Sequence, residues 1–260
     1  TILSNITHPN VVRVFDANYF RSKKKKIYFI SMEYVPGETL IRLLERENKL
    51  GLDMSISIIK DICRGISIAH DHEPPVIHRD IKTQNILLSY DEKKPVENVS
   101  DFGVAQVVDQ KMRITDSAGT LTFMAPEGFL GVQNTRSDVF SAGLIFYQMV
   151  TGIQPWSIDT SILGNNNSAI ESAIFKARKK PPQKPSYFDE NISKNIDEII
   201  MTSISLEDSN RFESAQTLLE ELVKNKKNDK GAKQLPKREE KKIEPSKIEK
   251  KSSGFEDVAG

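Results

Sequence analysis

One short run of the chain concentrates most of its reactive chemistry: His78-Arg79-Asp80-Ile81-Lys82-Thr83-Gln84-Asn85. It offers a carboxylate, an ammonium group and an amide, and a second carboxylate follows in Asp101-Phe102-Gly103. Phosphoryl transfer requires little covalent chemistry from a protein, because positioned charge around a metal-bound triphosphate dominates the catalysis. Asp80 is suited to accept the proton of an attacking hydroxyl, and Lys82 to lie against the transferring phosphate. Asn85 and Asp101 supply hard oxygen ligands of the kind that Mg²⁺ prefers.

This spacing resembles the catalytic loop and the metal-binding loop of protein kinases, H-R-D-x-K-x-x-N and D-F-G. Five defined positions in such a short window arise by chance about once per million positions, so a solvated run of charges does not explain the whole set. The resemblance implies an α+β, protein-kinase-like two-lobe fold with an incomplete β-rich small lobe and a mostly helical large lobe. It also implies ATP and Mg²⁺ as cofactors. Lys82, Asn85 and Asp101 would contact ATP, and Asn85 and Asp101 would be the metal ligands.

Composition excludes several other classes of protein. The 260 residues allow one large domain or two small ones, and the formal net charge is only +1. Residues 224–260 hold twelve Lys/Arg and seven Asp/Glu, so the basic character belongs to a tail, and no nucleic-acid partner is expected. The longest apolar run, 139–150, is too short to span a bilayer, so no membrane segment is expected. The single cysteine, Cys63, suits a reducing compartment, and a cytoplasmic location is expected.

Residues 1–35 are expected to be the remnant of a kinase small lobe. The first residues are typical of the end of a helix, which His8-Pro9-Asn10 stops. Residues 11–15 and 27–32 are predicted strands because they are rich in β-branched and aromatic side chains. Lys23-Lys24-Lys25-Lys26 is predicted to form the turn between them. By resemblance, these elements are the end of helix C and the fourth and fifth strands of a kinase.

Three parts of a kinase small lobe do not occur in this sequence: a Gly-rich phosphate loop, a strand lysine of the V-A-I-K type and a helix-C glutamate. Gly37 stands alone in its region, and no G-x-G-x-x-G pattern is present. We therefore expect the sequence to be a fragment cut inside the small lobe, inactive without the missing part. The alternative is a degenerate kinase that lacks these features.

The run Met32-Glu33-Tyr34-Val35-Pro36-Gly37-Glu38 follows the second predicted strand and resembles the hinge between kinase lobes. The resemblance implies that the Glu33 carbonyl and the Val35 amide contact the edge of the adenine. Glu38 would reach the ribose hydroxyls, and Leu87 would form the floor under the adenine. An ordinary strand-to-helix turn is the alternative interpretation of this run.

Residues 36–223 are expected to be the large lobe. Ala125-Pro126-Glu127 matches the A-P-E signature, and residues 119–124 resemble the G-T-x-x-Y-M run of serine/threonine kinases. In that family the threonine, here Thr120, bridges the catalytic aspartate and lysine. Thr120 is therefore counted with Asp80, Lys82 and Asn85 as a catalytic residue, and it favours a serine or threonine acceptor.

Further contacts in the large lobe follow from the same resemblance. A helix opening at Ser137-Asp138 is apolar almost all round, which is typical of a buried helix. Asp138 is expected to hold the backbone of the catalytic loop, and Arg211 to pair with Glu127. Asp53 is predicted to cap a long helix that ends at His70.

The end of the chain has a different composition. Residues 224–252 are rich in Lys, Glu, Pro and Ser and are predicted to form a disordered charged linker. Residues 253–260 contain the run F-x-D-V-A-G, which resembles the opening of an AAA-type ATPase module. The partner that this run suggests is therefore a covalently fused AAA-type ATPase domain.

Taken together, these patterns predict a protein serine/threonine kinase that transfers the γ-phosphate of ATP to hydroxyls of protein substrates. The alternative from another class is a pseudokinase or scaffold that binds partners through the large lobe. A small-molecule phosphotransferase is disfavoured by the A-P-E segment and the run before it. The upstream sequence, with or without the strand lysine and helix-C glutamate, separates the first two interpretations.

Overall fold

The computed structural model describes residues 7–22, 25–91, 94–99, 118–159, 162–164 and 166–228, and within these ranges the chain forms two small β-sheets and seven α-helices. Of the five described strands, three precede the first helix and two follow the second, and the rest of the described chain is mostly helical. The fold is therefore α+β, with a small strand-containing region and a larger helical part, as the sequence predicts.

The first sheet is a hairpin of β1 (Val14–Ser22) and β2 (Lys25–Met32). β1 begins later than predicted from residues 11–15, because the chain first makes a turn in which Val11 N donates to His8 O at 3.0 Å. Val11 is buried after this turn and forms only an isolated bridge with His8. The side chains of Val11 and Val12 are therefore buried, and these residues do not belong to β1.

The second half of the basic run at the hairpin end belongs to a strand. Lys25 pairs with Ser22, and Lys26 pairs with Arg21, so both lysines belong to β2 and not to the predicted turn. Lys26 Nζ lies 4.6 Å from the centroid of the Tyr19 ring, a cation–π contact across the two strands. Lys23 and Lys24 lie outside the described residues.

The second sheet joins the predicted hinge to the run that carries Asp80. Its antiparallel order is β3 (Gly37–Thr39), β4 (Ile86–Asp91) and β5 (Lys94–Val99). β3 follows the connection at residues 33–36, and β4 begins directly after Asn85. Gly37 is required where β3 meets β4, because a Cβ atom there would overlap the carbonyl oxygen of Leu88.

Two helices follow β3 in the chain, α1 (Leu40–Glu47) and α2 (Leu52–His70). The isoleucines that recur along α2 at helical spacing are buried, and the helix ends at His70 as predicted. Its start differs from the prediction, because Gly51 is the capping residue and Asp53 lies inside the first turn. A carboxylate in that position still interacts favourably with the positive end of the helix dipole.

The central helix of the core is α4 (Thr135–Thr151), which follows the short α3 (Ala118–Phe123). α4 is buried almost all round, as its apolar composition predicts. It starts earlier than Ser137, because Asn134 Oδ1 accepts from Arg136 N and Ser137 N at 2.9 and 3.2 Å. The Ser137 hydroxyl accepts from Asn134 N in return, which completes a capping box.

Three further helices surround α4: α5 (Asn167–Arg178), α6 (Lys194–Ser203) and α7 (Ala215–Asn228). α7 continues to Asn228, so the linker does not begin at residue 224 as composition suggests. Leu222 and Asn225 are both buried, and this packing carries the helix beyond residue 223. Residues 229–260, including the segment at 253–260, lie outside the described ranges.

The hydrophobic core joins α1, α2, α4, α6 and α7 into one cluster. Gly143 of α4 allows a close approach to α6, since a Cβ atom at this position would lie 2.6 Å from Ser203 Cβ. In the part of the chain that the structure describes, no helix has the length and apolar character needed to cross a bilayer.

Candidate active site

One buried carboxylate holds the loop that carries Asp80. Asp138, in the first turn of α4, accepts hydrogen bonds from the backbone N–H of His78 at 2.8 Å and of Arg79 at 3.0 Å. This is the contact that the resemblance implied. His70 Nε2, at the end of α2, lies 2.9 Å from the same carboxylate. The loop backbone therefore has a fixed position relative to two core helices.

The loop contains one residue with an unfavourable backbone conformation. Arg79 has a φ of 71°, in the left-handed region that costs a non-glycine residue about 1–3 kcal/mol. The hydrogen bond from its N–H to Asp138 and the adjoining bond from Asp80 N to His78 Nδ1, at 3.3 Å, hold this conformation. Such strain persists where the surroundings impose it, and it is common at functional sites.

The four predicted catalytic residues lie together. Lys82 Nζ donates to Asp80 Oδ2 and to Thr120 Oγ1, both at 2.8 Å. Asn85 Nδ2 donates to Asp80 Oδ2 and to the backbone oxygen of Asp80, both at 2.9 Å. Thr120 comes from α3, so the cluster joins the loop to a distant part of the chain.

The two oxygens of Asp80 differ in their surroundings. Oδ2 accepts from both Lys82 and Asn85, whereas Oδ1 is shielded from solvent and accepts no hydrogen bond from any described group. A buried acceptor without a donor is costly, so a hydroxyl brought to Oδ1 would bind strongly. The side chain as a whole is 37% exposed, which leaves the cluster partly open.

The structure describes one of the two predicted metal ligands. Asn85 is buried and ends a single turn of 3₁₀ helix, Thr83–Asn85, immediately before β4. Asp101, the other predicted ligand of metal and ATP, lies outside the described residues. Within the described ranges, no group of three or more His, Cys, Asp or Glu side chains is arranged to hold a metal ion.

The predicted hinge is an extended connection between β2 and β3. Glu33 N donates to Arg13 O at 2.8 Å, and Arg13 N donates to Glu33 Oε2 at 3.4 Å. These bonds attach the start of the hinge to the chain just before β1. Val35 is half-buried, whereas Tyr34 between them is exposed.

The other two predicted nucleotide contacts lie on neighbouring strands. Glu38 in β3 pairs with Leu88 of β4, and Leu87 beside it is half-buried. Arg46 of α1 binds the Glu38 carboxylate with both terminal nitrogens at 2.9 Å. A ribose hydroxyl at Glu38 would therefore share the carboxylate with a guanidinium.

A buried ion pair supports the segment after Thr120, as the resemblance implied. Arg211 donates to both oxygens of Glu127, at 2.7 and 3.0 Å, and the Ser137 hydroxyl donates to Glu127 at 2.6 Å. The guanidinium is fully buried, and its other N–H groups donate to the carbonyls of Ser205, Leu206 and Arg136. Burial alone would raise the pKa of Glu127, but the hydrogen bonds from Arg211 and Ser137 outweigh it and hold the pKa below its ordinary value.

Sequence reasoning missed two residues of this site. It interpreted His70 as an ordinary histidine at a helix end, because nothing in the local pattern indicates a contact with Asp138, 68 positions away. It also missed Arg46, which lies eight positions after Glu38 across a strand-to-helix connection. The only available signal was the opposite charge of Glu38 and Arg46, and this is weak without the fold.

Comparison with known proteins agrees with this geometry. The sequence matches the family model for the protein kinase domain over residues 1–223. The chain belongs to the protein kinase family.

The kinase chain is similar to several bacterial enzymes. It is 31% identical over 230 residues to a probable serine/threonine-protein kinase of Clostridium perfringens, covering 87% of this chain and 31% of that protein. It is 27% identical over 223 residues to the serine/threonine-protein kinase PknB of Mycobacterium leprae, covering 84% of this chain and 34% of PknB. It is 30% identical over 224 residues to a probable serine/threonine-protein kinase of Streptomyces coelicolor, covering 83% and 31%. The chain thus spans about a third of the length of these relatives.

The anchoring role of Asp138 in this kinase can be tested by stability. We expect Asp138→Asn to lower the free energy of unfolding by about 1–3 kcal/mol, because an amide nitrogen would face buried N–H donors. Urea unfolding measures the change. Asp71→Asn, at an exposed carboxylate beside His70, is the matched control and should change stability by less than about 0.5 kcal/mol. Equal effects of the two substitutions would contradict the anchoring role.

Proposed function

We propose that this protein transfers the γ-phosphoryl group of ATP to serine and threonine hydroxyls of other proteins, with Mg²⁺ as the metal cofactor. The observation that carries the proposal is the position of Lys82 Nζ, which lies 2.8 Å from both Asp80 and Thr120. One cation thus joins the candidate proton acceptor to the segment that precedes the A-P-E motif. The similarity to bacterial serine/threonine kinases supports the same activity.

Each residue of the cluster has a chemical role in this proposal. Asp80 Oδ1 accepts the proton of the attacking hydroxyl, because Oδ2 is already occupied by two donors. Lys82 neutralises negative charge that develops on the transferred phosphoryl group, an electrostatic contribution that is large in a partly desolvated site. Thr120 accepts a second hydrogen bond from the Lys82 ammonium and so helps to hold it beside Asp80.

The donor chemistry of Asn85 suits a hard divalent cation. Its amide nitrogen donates twice to Asp80, so the amide oxygen is the atom that would bind the metal. With the carboxylate of Asp101, it would hold Mg²⁺, which would neutralise negative charge on the phosphates of ATP. Glu33, Val35, Glu38 and Leu87 would hold the adenosine part of the nucleotide.

A serine or threonine acceptor is favoured over tyrosine for two reasons. Lys82 occupies the position that serine/threonine kinases use, and its bond to Thr120 joins the two motifs that distinguish this group. The similar bacterial proteins carry the same designation. The polar cluster also favours catalysis over the alternative role as a binding scaffold, since a scaffold does not require these four side chains to converge.

The experiment that tests this function uses the full-length protein, ATP, Mg²⁺ and dephosphorylated casein as the acceptor. We expect phosphoserine and phosphothreonine in the product, no phosphotyrosine, and no transfer when Mg²⁺ is removed by a chelator. Asp101→Asn should abolish transfer, because it removes a metal-binding charge. Phosphotyrosine in the product would contradict the acceptor assignment. Nucleotide binding without any transfer by the unmodified protein would support the scaffold.

A further inference from the structure

Arg178 occupies a position where an apolar residue is expected. It is the last residue of α5 and lies four positions after Ile174, which itself lies four positions after Ile170. Both isoleucines belong to a small buried cluster with Leu121 of α3. The same helix face therefore ends in a guanidinium that is only 6% exposed.

This guanidinium is buried without a counter-ion. In the described part of the chain no carboxylate forms an ion pair with Arg178, and its Nε and Nη1 groups have no hydrogen-bond partner. Its Cζ atom instead lies 5.0 Å from the ring centroid of Phe140, 5.6 Å from that of Trp156 and 5.9 Å from that of Phe129. Burial, and then the charge of Arg211, lower the pKa of Arg178 to about 10, although the charge of Glu127 opposes this shift, so Arg178 remains protonated near neutral pH.

Arg211 is a second buried arginine, and it differs from Arg178 in having a carboxylate partner. Arg211 lies on another side of the same Phe140 ring, with its Cζ atom 4.7 Å from the centroid, and it binds Glu127 through two hydrogen bonds. Arg211 therefore has a partner that offsets its burial, whereas Arg178 has only aromatic faces and backbone carbonyls. A buried cation without a counter-ion is unfavourable compared with an apolar side chain of similar size. A contribution to the free energy of unfolding therefore does not explain why position 178 is an arginine.

What Arg178 binds is the segment that follows Thr120. Its Nη2 group donates to Met124 O at 2.8 Å and, with a longer bond of 3.5 Å, to Thr122 O. Ser141 of α4 donates to the carbonyl between them, Phe123 O, at 2.8 Å. Three successive carbonyls are thus held by side chains from two helices.

This segment is close to the reacting groups. Thr120, two residues before Thr122, binds Lys82, and Lys82 binds Asp80. The backbone from Thr122 to Met124 therefore continues directly from the catalytic cluster. A protein chain that presents a hydroxyl to Asp80 would have to run alongside it.

We propose that Arg178 is a positioning residue for the protein substrate: it holds the backbone of residues 122–124 as the surface against which the acceptor segment lies. This inference rests on the proposed kinase activity. In this proposal Arg178 orients the acceptor segment and does not contact ATP. The predicted nucleotide contacts lie in the connection between β2 and β3, in β3 and β4 and in the loop that carries Asp80, and none lies on α5, so KM for ATP and KM for the protein substrate should respond differently to the removal of Arg178.

The test compares the full-length protein with Arg178→Met and Arg178→Lys. Methionine keeps an unbranched apolar stem without the charge, and lysine keeps the charge without the two-nitrogen fork. For both variants we expect KM for dephosphorylated casein to rise about tenfold and KM for ATP to change by less than about twofold. Hydrogen exchange of the amides of residues 121–124 should accelerate about tenfold or more in Arg178→Met.

The controls separate positioning from stability. Lys176→Met removes an exposed cation from the same helix and should change neither KM nor exchange. Arg178→Met should unfold at the same temperature as the unmodified protein or at a higher one, because an unpaired buried charge is lost. Unchanged KM for casein, or an equal rise in both KM values, would overturn the inference. If the unmodified protein transfers no phosphate, the kinase proposal fails and the substrate role of Arg178 fails with it, and the exchange of residues 121–124 then shows only whether Arg178 holds this segment.

Discussion

Asp80→Asn lowers the rate of phosphate transfer by about 10²–10⁴-fold, the range expected when a positioned proton acceptor is lost. The structure gives the reason in atomic terms. Lys82 and Asn85 both donate to Oδ2, so the oxygen of the new amide takes that position and its nitrogen takes the position of Oδ1. An N–H group would then face the attacking hydroxyl where an acceptor is required.

The measurement is the initial rate of casein phosphorylation by the full-length protein and by its variant at saturating ATP. Nucleotide affinity should be retained in Asp80→Asn, because no predicted adenosine contact involves this residue. Asp71→Asn makes the same chemical change at an exposed carboxylate and should leave the rate unaltered. If Asp80→Asn kept full turnover, the assignment of the catalytic loop would be wrong.

Arg211→Ala is expected to have the largest effect on stability, a loss of about 3–5 kcal/mol in the free energy of unfolding. The substitution removes a fully buried guanidinium and leaves Glu127 with an uncompensated charge beside Ser137. It also leaves the carbonyls of Ser205 and Leu206 without their donors. Urea unfolding at neutral pH measures the loss.

An exposed ion pair is the matched control for this substitution. Arg46 also binds a carboxylate with two nitrogens, on Glu38, but the arginine side chain is 55% exposed. Arg46→Ala should therefore cost only about 0–1 kcal/mol, since solvent screens the pair. Similar losses for Arg211→Ala and Arg46→Ala would show that burial does not determine the contribution of the Glu127 pair.

The stability difference between the parent protein and Arg211→Ala should depend on pH. The folded-state pKa of Glu127 is lowered, so its contribution is complete above the pKa of an unfolded glutamate, about 4.3. It is lost as the pH falls from there through the lowered folded-state value. The difference in the free energy of unfolding should become smaller between neutral pH and pH 3, whereas a difference independent of pH would exclude Glu127 as the partner.

The sequence alone was sufficient for the family and for the close approach of the predicted catalytic residues. Asp80, Lys82 and Asn85 lie within one loop and one turn. Their spacing in the sequence therefore determines, almost without the rest of the fold, that their side chains lie close together. The same holds for α4, whose apolar composition predicts a buried helix, and for α2, which ends where the prediction placed it. Patterns of this kind depend on interactions within a few residues.

Element starts were predicted less well, because they depend on which local hydrogen bond forms. α4 begins at Thr135, two residues before Ser137, since the side chain of Asn134 accepts from the first free N–H groups of the helix. Gly51, and not Asp53, precedes α2. Several side chains near each boundary can cap a helix, and the sequence does not rank them.

The tertiary structure alone decided the contacts between distant residues. His70 reaches Asp138 across 68 positions, and Arg178 reaches Met124 across 54. Neither pair has a local pattern, because contacts of this kind exist only after helices pack in a particular order. Arg178 is buried although it is a cation at the end of a helix. Packing buries it, because α5 lies with its apolar face against α3 and the rings of Phe129, Phe140 and Trp156.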